Sequence, residues 1–270
     1  MAMCYCRLLL WSGCASIGYL VCEEDLVNSK VIRQIRFRLV LILVAPIAFQ
    51  GLAYLILGLL GLAREEYSKI VPNITALIAC VVLVKALALS AEDIGLKKIT
   101  GQFRWHGIIC AWLFLFLMIF DLFVVRISGL RSGASGTVCG LLNYLVVSFW
   151  EEIYFRGILY GVIKKRYSDR MALIVSTLLF GLVHFRQGMG MIPKFFTGFL
   201  WGAVRYATGM VIFLIPFHFV YNSMWLLFEG DWNHPRTYFY PLFELLTGLA
   251  IVGLPTRRPN AVDWPDPPSN

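Results

Sequence analysis

Phe149-Trp150-Glu151-Glu152-Ile153-Tyr154-Phe155-Arg156 places two adjacent carboxylates and an arginine inside an apolar run that extends from Val138 to Ile163. Ionisable groups at membrane depth are costly, so they are rare and face protein or a water-filled cavity. On an α-helix Glu152 and Arg156 stand one turn apart on one face and can pair. The helical period turns Glu151 about 100° away from them, so it lacks that partner. The stretch reads as a membrane helix with one glutamate held and the other available.

The rest of the chain agrees with a membrane setting. It has 270 residues, 59% of them hydrophobic, where a soluble domain carries about 45–50%. Its mean hydropathy is +0.73. Several segments reach the roughly 17–25 apolar residues that cross a bilayer as a helix. These observations predict an all-α fold, a polytopic transmembrane helical bundle with about eight spans. The spans are expected at Leu39–Ala63, Val71–Ser90, Gly107–Val125, Val138–Ile163, Met171–Phe185, Ile192–Val204, Val211–Phe228 and Tyr238–Leu254. Arg7 to Cys22 is a further short apolar stretch, read as a retained N-terminal anchor rather than a cleaved signal. Residues 1–38 are thus an anchor with an amphipathic lead-in, 39–254 the membrane domain, and 255–270 a proline-rich disordered tail.

The net charge of +8 sits mainly in the connections. Placing the basic lead-in from Lys30 to Arg38 inside puts fourteen Lys and Arg residues on that side, Arg205 among them, against seven outside. Positive-inside bias and anionic lipid account for this charge, and no basic run suggests a nucleic-acid groove. The seven cysteines are odd in number and form no Cys-x-x-Cys pair, so neither a disulfide framework nor a zinc knuckle is indicated. Gly136-x-x-x-Gly140, Gly157-x-x-x-Gly161 and Gly198-x-x-x-Gly202 are expected to let helices approach closely.

Two other apolar segments carry polar groups: Phe180-x-x-x-His184, and His218-x-x-x-Asn222 with its two residues on one face. Counted from the basic residues Lys164, Arg170 and Arg205, the positions Glu151, His184 and His218 lie 13, 14 and 13 residues in. At 1.5 Å per residue each is roughly 20 Å from the inner end of its helix, if the helices are continuous. Polar residues scattered for structural reasons have no cause to agree in depth. Asp121, Lys85, Asn143 and Glu244 are also intramembrane, but none has a partner at fixed spacing. Lys85 can snorkel to the inner face, and Ser148 reads as packing.

Glu-Glu-x-x-x-Arg, then Phe-x-x-x-His, then His-x-x-x-Asn, in this order over Phe149–Asn222, resembles the CPBP family of CAAX-prenyl endopeptidases and bacteriocin-processing proteins, the glutamate-type intramembrane proteases. The resemblance implies an integral, multi-pass membrane protein that hydrolyses a peptide bond without a covalent intermediate or a metal. Its substrate would be a membrane-associated or lipidated peptide or protein. An unpaired glutamate in apolar surroundings is a competent general base. Glu151 would take a proton from water that His184 orients. His218 and Asn222 would donate hydrogen bonds to the oxyanion. Glu152 and Arg156 would fix the helix and the rotamer of the base.

Three other readings stay open. A zinc-dependent membrane protease can use the same residue types, although no His-Glu-x-x-His is present. A proton-coupled transporter also needs buried Glu and His, but no inverted repeat is evident. A non-catalytic membrane scaffold or immunity factor would use the cluster for packing alone.

Overall fold

The computed structural model describes residues 40–62, 66–96, 103–125, 127–130, 134–230 and 239–253. The N-terminal anchor and lead-in, the C-terminal tail, and the basic residues Lys97, Lys98 and Arg236 lie outside the described residues. The chain divides into Met1–Val44 and Ala45–Asn270. Of the first unit only the opening of one helix is described, and the helix packing belongs to the second.

The fold is all-α. Its helices are α1 Val40–Leu59, α2 Ile70–Ala86, α3 Phe103–Val125, α4 Ala134–Glu151, α5 Tyr160–Arg166, α6 Asp169–Leu182, α7 Met191–Thr208, α8 Leu214–Leu227 and α9 Tyr240–Gly253. Each expected apolar segment falls on a helix, with differences at two of them. The fourth segment is one rod built of three parts: α4, a π-helix over Glu152–Leu159, and α5. Backbone angles at both joints stay right-handed helical, so the rod does not break. The fifth ends at Leu182, so His184 stands beyond α6 in the turn that opens a 3-10 helix, Phe185–Gly190. A two-stranded antiparallel ribbon, β1 Ile127–Leu130 with β2 Phe228–Gly230, was not expected from the sequence.

By length and composition one described helix, α1, is apolar enough to cross a membrane; Ile70–Ala86, Gly107–Phe120 and Tyr240–Gly253 are apolar but shorter. Large apolar side chains point outwards on several helices, among them Leu55, Leu59, Ile78, Trp112, Phe116 and Leu246. These exposed apolar side chains are spread over α1, α2, α3 and α9.

Helix α7 lies at the centre, packed on α6 and α9, while α4 packs on α2 and α8. The buried cluster joins Phe114 and Leu117 of α3, Leu200 and Trp201 of α7, Leu214 of α8 and Ile251 of α9. Gly198 and Gly202 face Phe180 and Leu173 of α6, and Gly140 faces Leu226 of α8, the close helix contacts expected of them. Gly157 and Gly161 behave differently. A Cβ at Gly157 would meet the Ile94 carbonyl oxygen at 3.3 Å, and one at Gly161 the Asp93 carbonyl at 2.5 Å. Their partner is the backbone of the 87–96 connection, not a helix.

The lone polar residues acquire partners across helices. Asn73 donates to Lys69 O and to Asn143 Oδ1, and its own Oδ1 accepts from Trp150 Nε1 at 3.0 Å and Gln50 Nε2 at 3.2 Å. Glu244 is buried and accepts from Thr197 Oγ1 at 2.8 Å. Lys85 is exposed in the last turn of α2, as a snorkelling lysine would be. Arg205 departs from expectation: its sequence position suggests an inner-loop cation, yet it is buried in the last turn of α7. The side chain of Asp121 lies outside the described residues.

Candidate active site

The rod that bears the two glutamates changes register where they sit. A π-helix bonds i to i−5 and is rare, usually short and often found at functional sites. Here it begins at Glu152, so the arginine four residues on is carried by wider turns than an α-helix provides. The pair still meets: Arg156 Nη1 is 3.2 Å from Glu152 Oε1, and both side chains are fully buried. Arg156 also donates from Nη2 to Gly198 O at 3.1 Å. Its guanidinium carbon lies 4.2 Å from the centre of the Phe180 ring, a cation–π contact in a desolvated setting.

His218 joins the two glutamates. Its Nδ1 is 2.8 Å from Glu152 Oε1, and its Nε2 is 3.7 Å from Glu151 Oε2. A carboxylate paired with an arginine only accepts, so Nδ1 carries a hydrogen and donates to Glu152. That bond fixes the ring and turns Nε2 towards Glu151. The indole of Trp201 lies nearly parallel to the ring, at 5.8 Å between centroids and 19° between planes. Glu151 is close to fully buried, and its neighbour Glu152 is completely so. Glu152 thus holds the arginine and the histidine together, whereas Glu151, among the described residues, reaches only the far nitrogen of the histidine. Glu152 Oε2 and Arg156 Nε have no hydrogen-bond partner among the described residues.

His184 stands further off and half-buried. Its Nδ1 is 2.7 Å from Phe180 O. A carbonyl only accepts, so Nδ1 donates, leaving Nε2 as the acceptor of the ring. Phe180 lies between the two histidines, its ring 4.9 Å from that of His184 and 6.4 Å from that of His218. Asn222, half-buried, follows His218 by one turn on α8. The structure therefore brings Glu151, Glu152, Arg156 and His218 into direct contact, sets His184 across Phe180 from them, and places Asn222 along the same helix.

Three contributors had no functional reading in the sequence. Trp201 stacks on His218, the Gly198 carbonyl holds both Arg156 and the Thr177 hydroxyl, and Phe180 carries the guanidinium on its ring. Gly198 left a trace as half of a small-residue pair, and Phe180 as the first residue of the Phe-x-x-x-His motif, in neither case with a role attached. Among the described residues no group of three or more His, Cys, Asp or Glu side chains is disposed to hold a metal ion. The two nitrogens of His218 address different carboxylates on opposite sides of the ring.

Outside the bundle, Asp93 in the 87–96 connection accepts from Lys165 at 2.6 Å and from Ser90 N at 2.7 Å. Burial raises the Asp93 carboxyl, but the Lys165 and Ser90 hydrogen bonds and the Lys165 charge outweigh it and hold it below its ordinary value.

No curated protein matches the chain in a comparison of full sequences. Residues 133–224, about a third of the chain, match the family model described as type II CAAX prenyl endopeptidase Rce1-like, and this stretch contains all six site residues and the three motifs that resemble the same membrane-embedded family.

Proposed function

We propose that the protein is a multi-pass intramembrane peptidase that cleaves a membrane-associated or lipidated peptide with a water molecule activated by Glu151. The observation that carries this reading is the asymmetry of the two glutamates around His218. Glu152 is committed to Arg156 and to Nδ1, while Glu151 stands 3.7 Å from Nε2. The match to a CAAX-type protease family over residues 133–224 supports the same reaction class. Glu151 removes a proton from water as the water oxygen attacks the scissile carbonyl, and later delivers it to the leaving amine. His184, its Nδ1 tied to Phe180 O, offers Nε2 as an acceptor that orients this water. Asn222, and His218 when Nε2 also carries a hydrogen, donate to the oxyanion that forms. Glu152 and Arg156 hold His218 and the rod in place.

The multi-pass reading is supported by the outward apolar side chains on helices besides α1. The length of the α4–π–α5 rod supports it too, with segments of 18, 8 and 7 residues running without a break. Such a rod is roughly 50 Å long, more than the hydrocarbon core of a bilayer.

The reaction is tested by comparing peptide termini in cells carrying the intact protein with those carrying Glu151→Gln. New termini present with the first and missing with the second support it. Identical termini in both, at equal protein levels, refute it. Termini that also survive Glu151→Gln but vanish on chelation move the protein to the zinc proteases.

A further inference from the structure

Arg205 is a buried arginine that the proposed reaction does not use. It has no carboxylate at its guanidinium in the described residues; instead it donates to three backbone carbonyls. Nε donates to Arg156 O at 2.9 Å, Nη2 to Asp93 O at 3.2 Å, and Nη1 to Gly209 O. The Tyr160 ring lies over it at 5.2 Å. Gly209 takes the left-handed conformation at the end of α7 and returns its N–H to Arg205 O, which anchors the arginine stem at the helix terminus.

The carbonyl that Nε takes is not an arbitrary one. In an α-helix the N–H of Tyr160 would bond to Arg156 O, four residues back. Here it bonds to Phe155 O and Gly157 O, on either side of Arg156 O. The Arg156 carbonyl is the one stepped over where the helix passes from π to α register, and Arg205 occupies it. A buried carbonyl left without a donor is costly. The charged donor of Arg205 removes that cost and competes with the α-register for the same oxygen.

The geometry points to Arg205 as a positioning residue that holds the rod in π register, and through it sets the Arg156 guanidinium on Glu152 and Glu152 on His218. Residues from Arg156 onward are rotated relative to Glu151 and Glu152 by the register change. Return to α register would swing Arg156 away from its seat on Phe180 and Gly198. Space for the guanidinium is provided by Gly95, where a Cβ would lie 2.6 Å from the Arg205 guanidinium carbon. This assignment stands on the backbone geometry and uses the proposed reaction only for its second readout.

The test uses the purified full chain with Arg205→Met and Arg205→Lys, each followed by structure determination in lipid nanodiscs. Arg205→Met should place Tyr160 N–H on Arg156 O and part Arg156 from Glu152. A π-helix unchanged in that variant overturns the assignment. Where Arg205→Met does not fold, Arg205→Lys decides: the ammonium keeps a donor for Arg156 O, so the π register should persist, and its loss overturns the assignment. The second readout is hydrolysis of a peptide spanning a terminus that depends on Glu151. Arg205→Met should lower kcat by roughly 100-fold with KM little changed, and Arg205→Lys should restore part of it. A simple loss of fold would not be mended by a side chain with fewer donors, nor would it separate kcat from KM. Absence of any hydrolysis by the wild type refutes the reaction and leaves the register result to judge Arg205.

Discussion

Replacing Glu152 by Gln removes one charge and almost no volume. Oε1 can still accept from Arg156 and His218, so the hydrogen bonds are kept in number, and what disappears is the counter-charge of a guanidinium with no exposed surface. Breaking a buried ion pair on one side costs about 3–5 kcal/mol, and the unchanged shape argues for about 3. In a chain of this size each kcal/mol lowers the melting temperature by about 2–4 °C, so a fall of roughly 6–12 °C is expected. Arg156→Met should be comparably harmful, because it leaves Glu152 buried beside the histidine. The double variant Glu152→Gln, Arg156→Met should recover most of the loss, since removing both charges removes the mismatch. The assay is thermal unfolding in a single detergent, followed by the fluorescence of the eight tryptophans. A double variant that loses the sum of its two singles would show that the charges act independently, and the buried pair would then not be the source of the loss.

Glu151→Gln should abolish peptide cleavage while the melting temperature stays near wild type; turnover in that variant counts against Glu151 as the base. Asn222→Ala should lower kcat by about 10²–10³ with little change in KM, the usual cost of one oxyanion donor; a rise in KM instead would assign it to substrate positioning. Activity should survive treatment with a chelator, and a metal whose removal and return switch turnover off and on would refute the metal-free reaction. For Asp93 the sign is set by its depressed carboxyl: the stabilising contribution is present above the unfolded value near 3.9 and is lost as pH falls through the folded value. Asp93→Asn should therefore narrow the stability difference between neutral pH and about pH 3, and an unchanged acid-unfolding curve would show that the Lys165 contact contributes nothing.

The helices were legible because apolar runs in this chain are long and are closed by charged or turn residues, as at Lys164-Lys165-Arg166 and Thr208-Gly209. The site motifs were legible because a polar residue in an apolar run is conspicuous. The π register was not. It depends on Arg205, 49 residues further along, and on the 87–96 connection lying against Gly157 and Gly161, and neither leaves a mark within residues 152–159. For the same reason Gly157-x-x-x-Gly161 was read as a helix contact: the spacing says that something approaches closely, not whether it is a helix or a loop. His184 was expected within a helix, but α6 ends two residues earlier, and the equal-depth count fails for His218 too, because Arg205 belongs to α7 while His218 lies only four residues past the start of α8 at Leu214. Arg205 shows how a charge near a helix end can be taken for a surface residue when its partners are carbonyls, which have no signature in sequence.

The ribbon of β1 and β2 has a mechanical consequence for the two helices that carry Glu151 and His218. Helix α4 begins just after β1 and α8 ends just before β2, so backbone hydrogen bonds clamp the pair at one end, and Gly140 against Leu226 tightens the clamp nearby. Two rods joined in this way can part only by rotating about the joint, as the legs of a compass do. His218 precedes Leu227 by nine residues. That is roughly 14 Å along α8, so a rotation of about 10° would widen the gap at Glu151 by roughly 2 Å. Glu152 rides on the same rod as Glu151, so the same rotation would stretch its 2.8 Å bond to His218 Nδ1, and that bond therefore resists the opening while the arginine, on the same rod, stays with Glu152.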